Sequence, residues 1–544
     1  MRGIMSERVV IIGAGIGGLA AALRLAQDGC DVTVLDRAAG PGGKMRTLPS
    51  IAGPVDAGPT VLTLRPVFEE LFDYCGETLT DHVTLTPLTV LARHHWEDSG
   101  PLDLHADPNE SEAAIRAFAG PDSAREFSVF HRDTARLFET FEGPMMQSAA
   151  PRLSGMTKLV LRNPGLISAL RPGLTMAREL ARRFRDPRLR QLFGRYATYV
   201  GGDPLTAPAL LSLIWQAEAR GVWTVAGGMH RLARALQHLA EDRGARFRFD
   251  ADVTAIEVRD GRACAVATAD DRLACDAVLF NGDPRALDRC LSGPAPMPAR
   301  SVTPRSLSAC VWSFAARPTG PALAHHNVYF ARHPNSEFPD IAASRLPGDP
   351  TLYVCAQDAA ETGAGPGRFE IIMNAPPRAG TRPQPEEQEI CRKITFTRLA
   401  RMGLTFDQVP GPEALTMPEQ FNALFPGSDG SLYGRSPKGL MAAFDRPRAR
   451  TSLPGLYLAG GGVHPGAGVP MAATSGRLAA EAICADLAST SRFRRTATPG
   501  GTSTASAPAA RAPSLSSPSS APSSRPGIAG AGGKSRRITS ASTS

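Results

Sequence analysis

Apolar residues along the chain fall into two rhythms. Short continuous runs such as Val9-Val10-Ile11-Ile12 and Val32-Thr33-Val34-Leu35 read as buried strands, and between them Gly17 to about Asp28 repeats apolar positions at helical spacing. Residues 7–36 therefore predict a strand, a helix and a second strand, the opening unit of an α/β fold. Helical periodicity returns at 66–75, 108–141, in MHRLARALQHLAEDRG after Gly228, from Glu386 to Met402 and from about Thr474 to Ala488. Strand-like runs occur from Val83 to Leu104, in ARFRF, and in the stretch from Asp252 to Asn281-Gly282-Asp283-Pro284, which is expected to rejoin the first sheet. The pieces ACVWSFAA, NVYFA, TLYVCAQ and FEIIMNA predict a second sheet. The resulting expectation is two interleaved domains: 7–80, 221–295 and 446–488 in one, 81–220 and 296–445 in the other, with 489–544 as a tail.

Composition changes this picture at one end only. The chain has 544 residues and a formal charge of +8, but eight of its 60 basic residues lie from Leu487 onward without any acid. The body then holds 52 basic and 52 acidic residues, so global basicity gives no reason to expect nucleic acid as a partner. Beyond Ser489 the sequence is mostly Ser, Ala, Pro, Gly, Thr and Arg, with very few large apolar side chains, which predicts a disordered tail because little apolar surface is left to offset ordering entropy. Nine scattered cysteines without a C-x-x-C pair suit reduced thiols in a cytoplasmic protein. No run reaches the ~18 apolar residues of a spanning helix, and the early first strand leaves no room for a cleaved signal.

The chemistry lies in glycines. Gly13-Ala14-Gly15-Ile16-Gly17-Gly18 follows the first strand as a dinucleotide fingerprint: Gly13 for the tight turn, Gly15 for approach of a pyrophosphate, Gly18 for close helix packing. Asp36 ends the next strand 18 residues after Gly18, where an acid meets a ribose hydroxyl. Gly40-Pro41-Gly42-Gly43-Lys44-Met45-Arg46-Thr47 follows directly, with Gly43 able to present backbone amides and Lys44 or Arg46 able to add positive charge. A third glycine run, Gly460-Gly461-Gly462, ends the strand GLYLA far along the chain.

These segments, together with Asp56-Ala57-Gly58-Pro59-Thr60, Gly221-Val222-Trp223-Thr224-Val225-Ala226-Gly227-Gly228 and Gly461 through Pro470, resemble the phytoene desaturase family of flavoprotein carotenoid dehydrogenases over roughly residues 7 to 488. Within it, HHNVYF (325–330), PTLYVCAQD (350–358) and NAPP (374–377) most resemble the 1-hydroxycarotenoid 3,4-desaturases, also called methoxyneurosporene dehydrogenases. The resemblance implies a Rossmann-like FAD-binding domain interleaved with a mixed-sheet and helical substrate domain. It implies FAD held by Gly13, Ala14, Gly15, Gly17, Gly18 and Asp36, by Gly43, Lys44 and Arg46, by backbone at Val253, and at the distal motif by Gly461, Gly462, Val469 and Met471. There the last helix would aim its N-terminal dipole at the ring system.

It further implies a C3–C4 desaturation of a 1-hydroxy or 1-methoxy acyclic carotenoid in a photosynthetic bacterium, with oxygen or a quinone as electron acceptor. The flavin carries the difficult chemistry, so no Ser-His-Asp or metal constellation is expected, and the adjacent pairs His94-His95 and His325-His326 need not converge. Glu218 is the one candidate proton acceptor, set against a solvated helix residue; Asn327 and Gln357 are candidates for end-group contact, set against turn or strand-edge roles. A bilayer-dissolved substrate implies a peripheral protein at the inner (photosynthetic) membrane surface. Residues 155–185, where Ala177, Leu180, Ala181 and Phe184 alternate with Arg178, Arg182 and Arg185, read either as a basic amphipathic membrane helix or as a helix packed on its own domain. A phytoene or neurosporene desaturase, a flavin-dependent carotenoid isomerase and a non-enzymatic carotenoid-binding flavoprotein remain the alternatives.

Overall fold

The strand Arg8–Ile12 forms the middle of a five-stranded parallel sheet, between Asp31–Leu35 and Ala277–Phe280, with Arg246–Arg248 and Leu456–Leu458 outside them. Its central strands are apolar on both faces, as a parallel sheet covered by helices requires. The computed structural model describes residues 7–151, 171, 173–359, 365–380, 382–439 and 442–496, without the side chains of 443 and 490–496. The chain up to Arg492 forms one compact unit.

The helix Ile16–Gln27 is buried along nearly its whole length, and Gly29 at φ 85° ends it in the left-handed region that favours glycine. Its small residues let the last helix, Val469–Thr496, cross very near: a Cβ on Gly476 would lie 2.0 Å from the Gly17 carbonyl oxygen. The helix His230–Asp242 packs its Leu232, Leu236 and Leu239 into the same core.

The run after ARFRF behaves differently from expectation. Arg246–Arg248 and Ala277–Phe280 rejoin the first sheet, but Val253–Arg259, Arg262–Thr268 and Arg272–Ala274 form an antiparallel three-stranded sheet of their own. Only Ala277–Phe280 is buried at every position, whereas the other three leave many side chains at the surface, which suits a one-sided sheet. The last helix starts at Val469, earlier than Thr474, because Pro470 in the first turn needs no amide partner; it runs to Thr496, past the expected tail boundary. The rest of the tail lies outside the described residues.

The second large sheet has seven strands in the order Leu415–Thr416, Ser308–Ala316, Gly367–Ala375, Leu352–Ala356, His326–Tyr329, Val90–Trp96 and Ser99–His105. All pairs are antiparallel except His326–Tyr329 with Val90–Trp96. One face buries Trp312, Phe314, Val354, Ile371 and Met373 with Cys391 and Leu399 of the helix Pro385–Arg401. A third core, rich in rings, joins Phe130, Phe184, Phe193 and Trp215 from the helical segments.

Candidate functional site

The fingerprint turn is shaped by backbone. Gly13 sits at φ 104°, and a Cβ on Gly18 would lie 2.1 Å from the Gly13 carbonyl oxygen, so Gly18 serves the turn's own closure as much as helix packing. Asp36, at the end of its strand, accepts from the Ala14 amide at 2.6 Å and the Ala38 amide at 2.8 Å, and burial pushes its carboxyl up. Asn281 stands at the end of a strand run and carries no motif of its own in the sequence. Its amide donates to the carbonyls of Gly13 (3.0 Å) and Gly15 (3.2 Å), and a Cβ on Gly460 would meet its side-chain oxygen at 2.9 Å. One side chain thus ties the first glycine turn to the last glycine run.

The second glycine turn lies on the first. Gly15 bridges to Gly42, and a Cβ on Gly43 would be 3.1 Å from the Gly15 Cα. From there the Lys44 ammonium reaches into the protein and donates to the Leu432 carbonyl, and burial lowers its pKa to about 8. Arg446 donates to the carbonyls of Gly461, Tyr433 and Arg435, and burial beside Arg435 lowers it to about 10. Among the described residues neither cation has an ion-pair partner, while the nearby Asp283 is taken by Arg305. Two buried cations held by carbonyls beside a glycine turn fit a bound anion, since an uncompensated buried charge is costly. The cradle therefore suits a dinucleotide pyrophosphate.

The other expected contacts divide. Gly461 carries the carbonyl that Arg446 holds, Gly462 packs on Pro284, and Val469 and Met471 stand in the first turn of the last helix. Val253 opens its strand two residues after Ala251, whose amide donates to the Asp36 carbonyl at 2.9 Å. Arg46 turns away from Lys44: it donates to Thr416 Oγ1 at 2.6 Å and faces Glu370.

Opposite the cradle lies the second face of the seven-stranded sheet. Asp56 accepts from the amides of Met229 (2.7 Å) and His230 (3.4 Å), which fixes the segment Asp56-Ala57-Gly58-Pro59-Thr60; a Cβ on Gly58 would lie 1.9 Å from the Lys44 carbonyl oxygen. Thr60 Oγ1 lies 2.8 Å from the Tyr353 hydroxyl, which is 2.6 Å from His326 Nδ1. His325 and His326 do converge: with Cys355 their ring nitrogens and sulfur lie within 4.8 Å of one another. Burial lowers both imidazoles and raises the thiol, so this trio is neutral. Glu370 is fully buried, and neither carboxylate oxygen makes a hydrogen bond within the described residues. Burial, reinforced by Asp56, holds its carboxyl well above the usual carboxylate range. Leaving a buried polar group unpaired costs about 1–3 kcal/mol, more for a charge, so Glu370 is a group free to meet a ligand.

The model of the flavin containing amine oxidoreductase family matches residues 16–484. The chain belongs to that family. It is 56% identical to a hydroxyneurosporene desaturase from Cereibacter sphaeroides over 89% of this chain and 99% of that protein, and 51% identical to one from Rhodobacter capsulatus over 88% and 98%. Among solved structures, an oxidoreductase from Methanosarcina mazei aligns over 87% of this chain and 100% of its own with a TM-score of 0.56 at 15% identity, a likeness of fold. Membership makes the cofactor a flavin.

For this flavoenzyme, several expected roles fall to structure. Glu218 is buried, contrary to a solvated position: Tyr196 donates to it at 2.6 Å, Tyr199 donates to its other oxygen, and Arg195 lies 3.9 Å away. The short helix Trp215–Ala219 presses this face against the turn Arg195–Val200, so the carboxylate is fully occupied. Asn327 spends its amide on the carbonyls of Ala324 and Val354, and Gln357 pairs with both backbone groups of Asp56. The helix Met176–Arg183 buries Met176 and Leu180, with Phe184 just after it, in the ring-rich core, while Arg183 pairs with Asp133 and Glu179. Its apolar face is used internally, and Ala181 faces solvent. The expected membrane residues 155–170 lie outside the described residues, and no described helix is long and apolar enough to cross a membrane.

Proposed function

We propose that the chain is an FAD-dependent desaturase that introduces the C3–C4 double bond of a 1-hydroxy or 1-methoxy acyclic carotenoid. The observation that carries this reading is the likeness to the two hydroxyneurosporene desaturases across nearly their whole lengths. FAD, a dinucleotide, suits the order of strand, glycine turn, helix and ribose acid better than a flavin mononucleotide, which lacks the adenosine ribose that Asp36 would hold.

Bound in the cradle, FAD supplies a two-electron acceptor for a hydride leaving an allylic carbon. The turn of Gly13, Ala14, Gly15, Gly17 and Gly18, its first two amides spent on Leu35 and Asp36, encloses the pyrophosphate with Gly43; Asp36 takes the adenosine ribose, and Lys44 and Arg446 offset the phosphate charge. Backbone at Val253, Gly461, Gly462, Val469 and Met471 completes the enclosure. Segments 7–80, 221–295 and 446–488 form the flavin unit, and 81–220 and 296–445 the substrate unit. The enzyme works on the cytoplasmic side of the inner membrane, at its surface, and passes electrons to oxygen or a quinone.

The test supplies 1-hydroxyneurosporene and phytoene separately to purified protein in liposomes and reads the product spectra. Discrimination is feasible because a site built to pair with a hydroxyl rejects a hydrocarbon end strongly. Conversion of the hydroxylated substrate with phytoene nearly untouched supports the reading. Equal or faster conversion of phytoene makes the chain a phytoene desaturase instead.

A further inference from the structure

Strand register brings together four residues that lie far apart in the chain. Ser313 pairs with Glu370, Glu370 with Cys355, and Cys355 with His326, so one row crosses four neighbouring strands on a single face. All four are buried, and Ser313 Oγ, both Glu370 oxygens and His326 Nε2 are without hydrogen bonds among the described residues. The other face of the same strands is mostly apolar, with Asn327 its buried polar side chain.

The row lies between the two glycine-rich walls. The Gly58 amide and the Thr60 hydroxyl stand beside Glu370, and Gly58 packs on the Lys44 carbonyl. On the other side Tyr433 lies within electrostatic reach of Glu370, and a Cβ on the next residue, Gly434, would be 2.8 Å from the Gly462 Cα. The unpaired carboxylate is thus placed next to the cradle, where a polyene held against the flavin would pass.

We propose that Glu370 takes the proton that leaves the substrate during desaturation. The inference rests on the desaturase reading above. Two C–H bonds break: one hydrogen leaves with its electron pair to the flavin, and the electron pair of the other forms the new π bond while its proton goes to a Glu370 oxygen. Only its carboxylate form can accept, and burial keeps that form scarce until pH rises above the usual carboxylate range, so the reacting fraction grows with pH; on accepting, Glu370 becomes a neutral carboxylic acid. Thr60 stands beside Glu370 without a hydrogen bond to it, and from Thr60 a continuous pair of hydrogen bonds runs through the Tyr353 hydroxyl to the neutral His326 Nδ1. Glu218 is a poor rival, because two tyrosine hydroxyls already occupy its oxygens.

The groups facing Glu370 set its proton affinity. Burial and Asp56 favour the neutral acid; Arg46, Thr60 and the Gly58 amide favour the carboxylate; Tyr353, Cys355 and Tyr433 face it as neutral groups, with the neutral His326 one strand beyond Cys355. The folded state therefore holds a proton that the unfolded chain releases at an ordinary carboxylate pKa, so this group's contribution to stability declines as pH rises above that value.

The experiment uses the full-length holoprotein in liposomes, without oxygen, and follows bleaching of the flavin band by 1-hydroxyneurosporene in one turnover. Glu370→Gln is expected to keep its flavin and bleach at least about 100-fold more slowly, with Glu370→Asp recovering part of the rate. The wild-type rate rises with pH along a limb above the ordinary carboxylate range, and Glu370→Gln lacks that limb. Independently of turnover, wild-type Tm falls over the same range more than that of Glu370→Gln. A Glu370→Gln rate within about threefold of wild type, or an unchanged pH limb, overturns the proposal. If the wild type itself is not bleached by any acyclic carotenoid while retaining flavin, the desaturase reading fails and takes this inference with it.

Discussion

Two walls meet at the site, and they are built in opposite ways. The cradle is closed to side chains: added Cβ atoms would sit 2.1 Å from a carbonyl at Gly18 and 2.0 Å at Gly476, and Asp36 and the Asn281 amide are already paired with backbone. The sheet wall carries ordinary side chains, and among the described residues Ser313 Oγ, both Glu370 oxygens and His326 Nε2 have no hydrogen-bond partner there. The first wall holds a ligand by shape and backbone; the second has groups left over for chemistry. Glu218 shows that this fold can satisfy a buried acid where no chemistry is required, since it lies among Tyr196, Tyr199 and Arg195.

The comparison breaks most visibly at the cradle. Gly18→Val places three carbons where there is no room for one, and the purified variant should retain no flavin; normal flavin absorbance per protein would show that the turn yields. The next effect belongs to Glu218. Glu218→Ala leaves Arg195 and two tyrosine hydroxyls buried without their acid, and denaturant unfolding should show a loss of about 3–5 kcal/mol. A loss under ~1 kcal/mol would mean that the cluster is as unsatisfied as the sheet wall. Asp36→Ala removes the expected ribose contact and should weaken FAD binding by about 1–3 kcal/mol, read by titrating FAD into flavin-stripped protein. An unchanged affinity would place the ribose elsewhere.

The smallest effect is at the end of the chain. Truncation after Thr496 removes five positive charges, Arg511, Arg525, Lys534, Arg536 and Arg537, and should lower the isoelectric point while leaving flavin content and turnover as they are. Loss of flavin on truncation would make the tail part of the site.

The cradle was legible because its function is written in local sequence: glycines, a strand, a helix and an acid at fixed spacing. Asn281 escaped because its role depends on parallel pairing of Ala277–Phe280 with Arg8–Ile12, a contact between residues far apart in the chain. The sheet wall was illegible for a similar reason. ACVWSFAA, TLYVCAQ and FEIIMNA each read as strands, and a Ser, a Cys and a Glu within them attract no notice. Only register sets Ser313, Glu370, Cys355 and His326 side by side. Glu218 stood out as an acid, but its partners Tyr196 and Tyr199 come from a separate turn, so its burial was not visible from its own short helix. The amphipathic pattern of Met176–Arg183 was real, but periodicity does not say what its apolar face covers.

The most direct measurement of the central claim is the mass of the product made from 1-hydroxyneurosporene by flavin-loaded protein in liposomes with an electron acceptor present. A desaturase yields a product lighter by two hydrogens, with absorption bands shifted to longer wavelength by the added conjugated double bond. A product of unchanged mass with shifted bands would make the chain an isomerase, and unaltered substrate alongside retained flavin would make it a binding protein; either result contradicts the account.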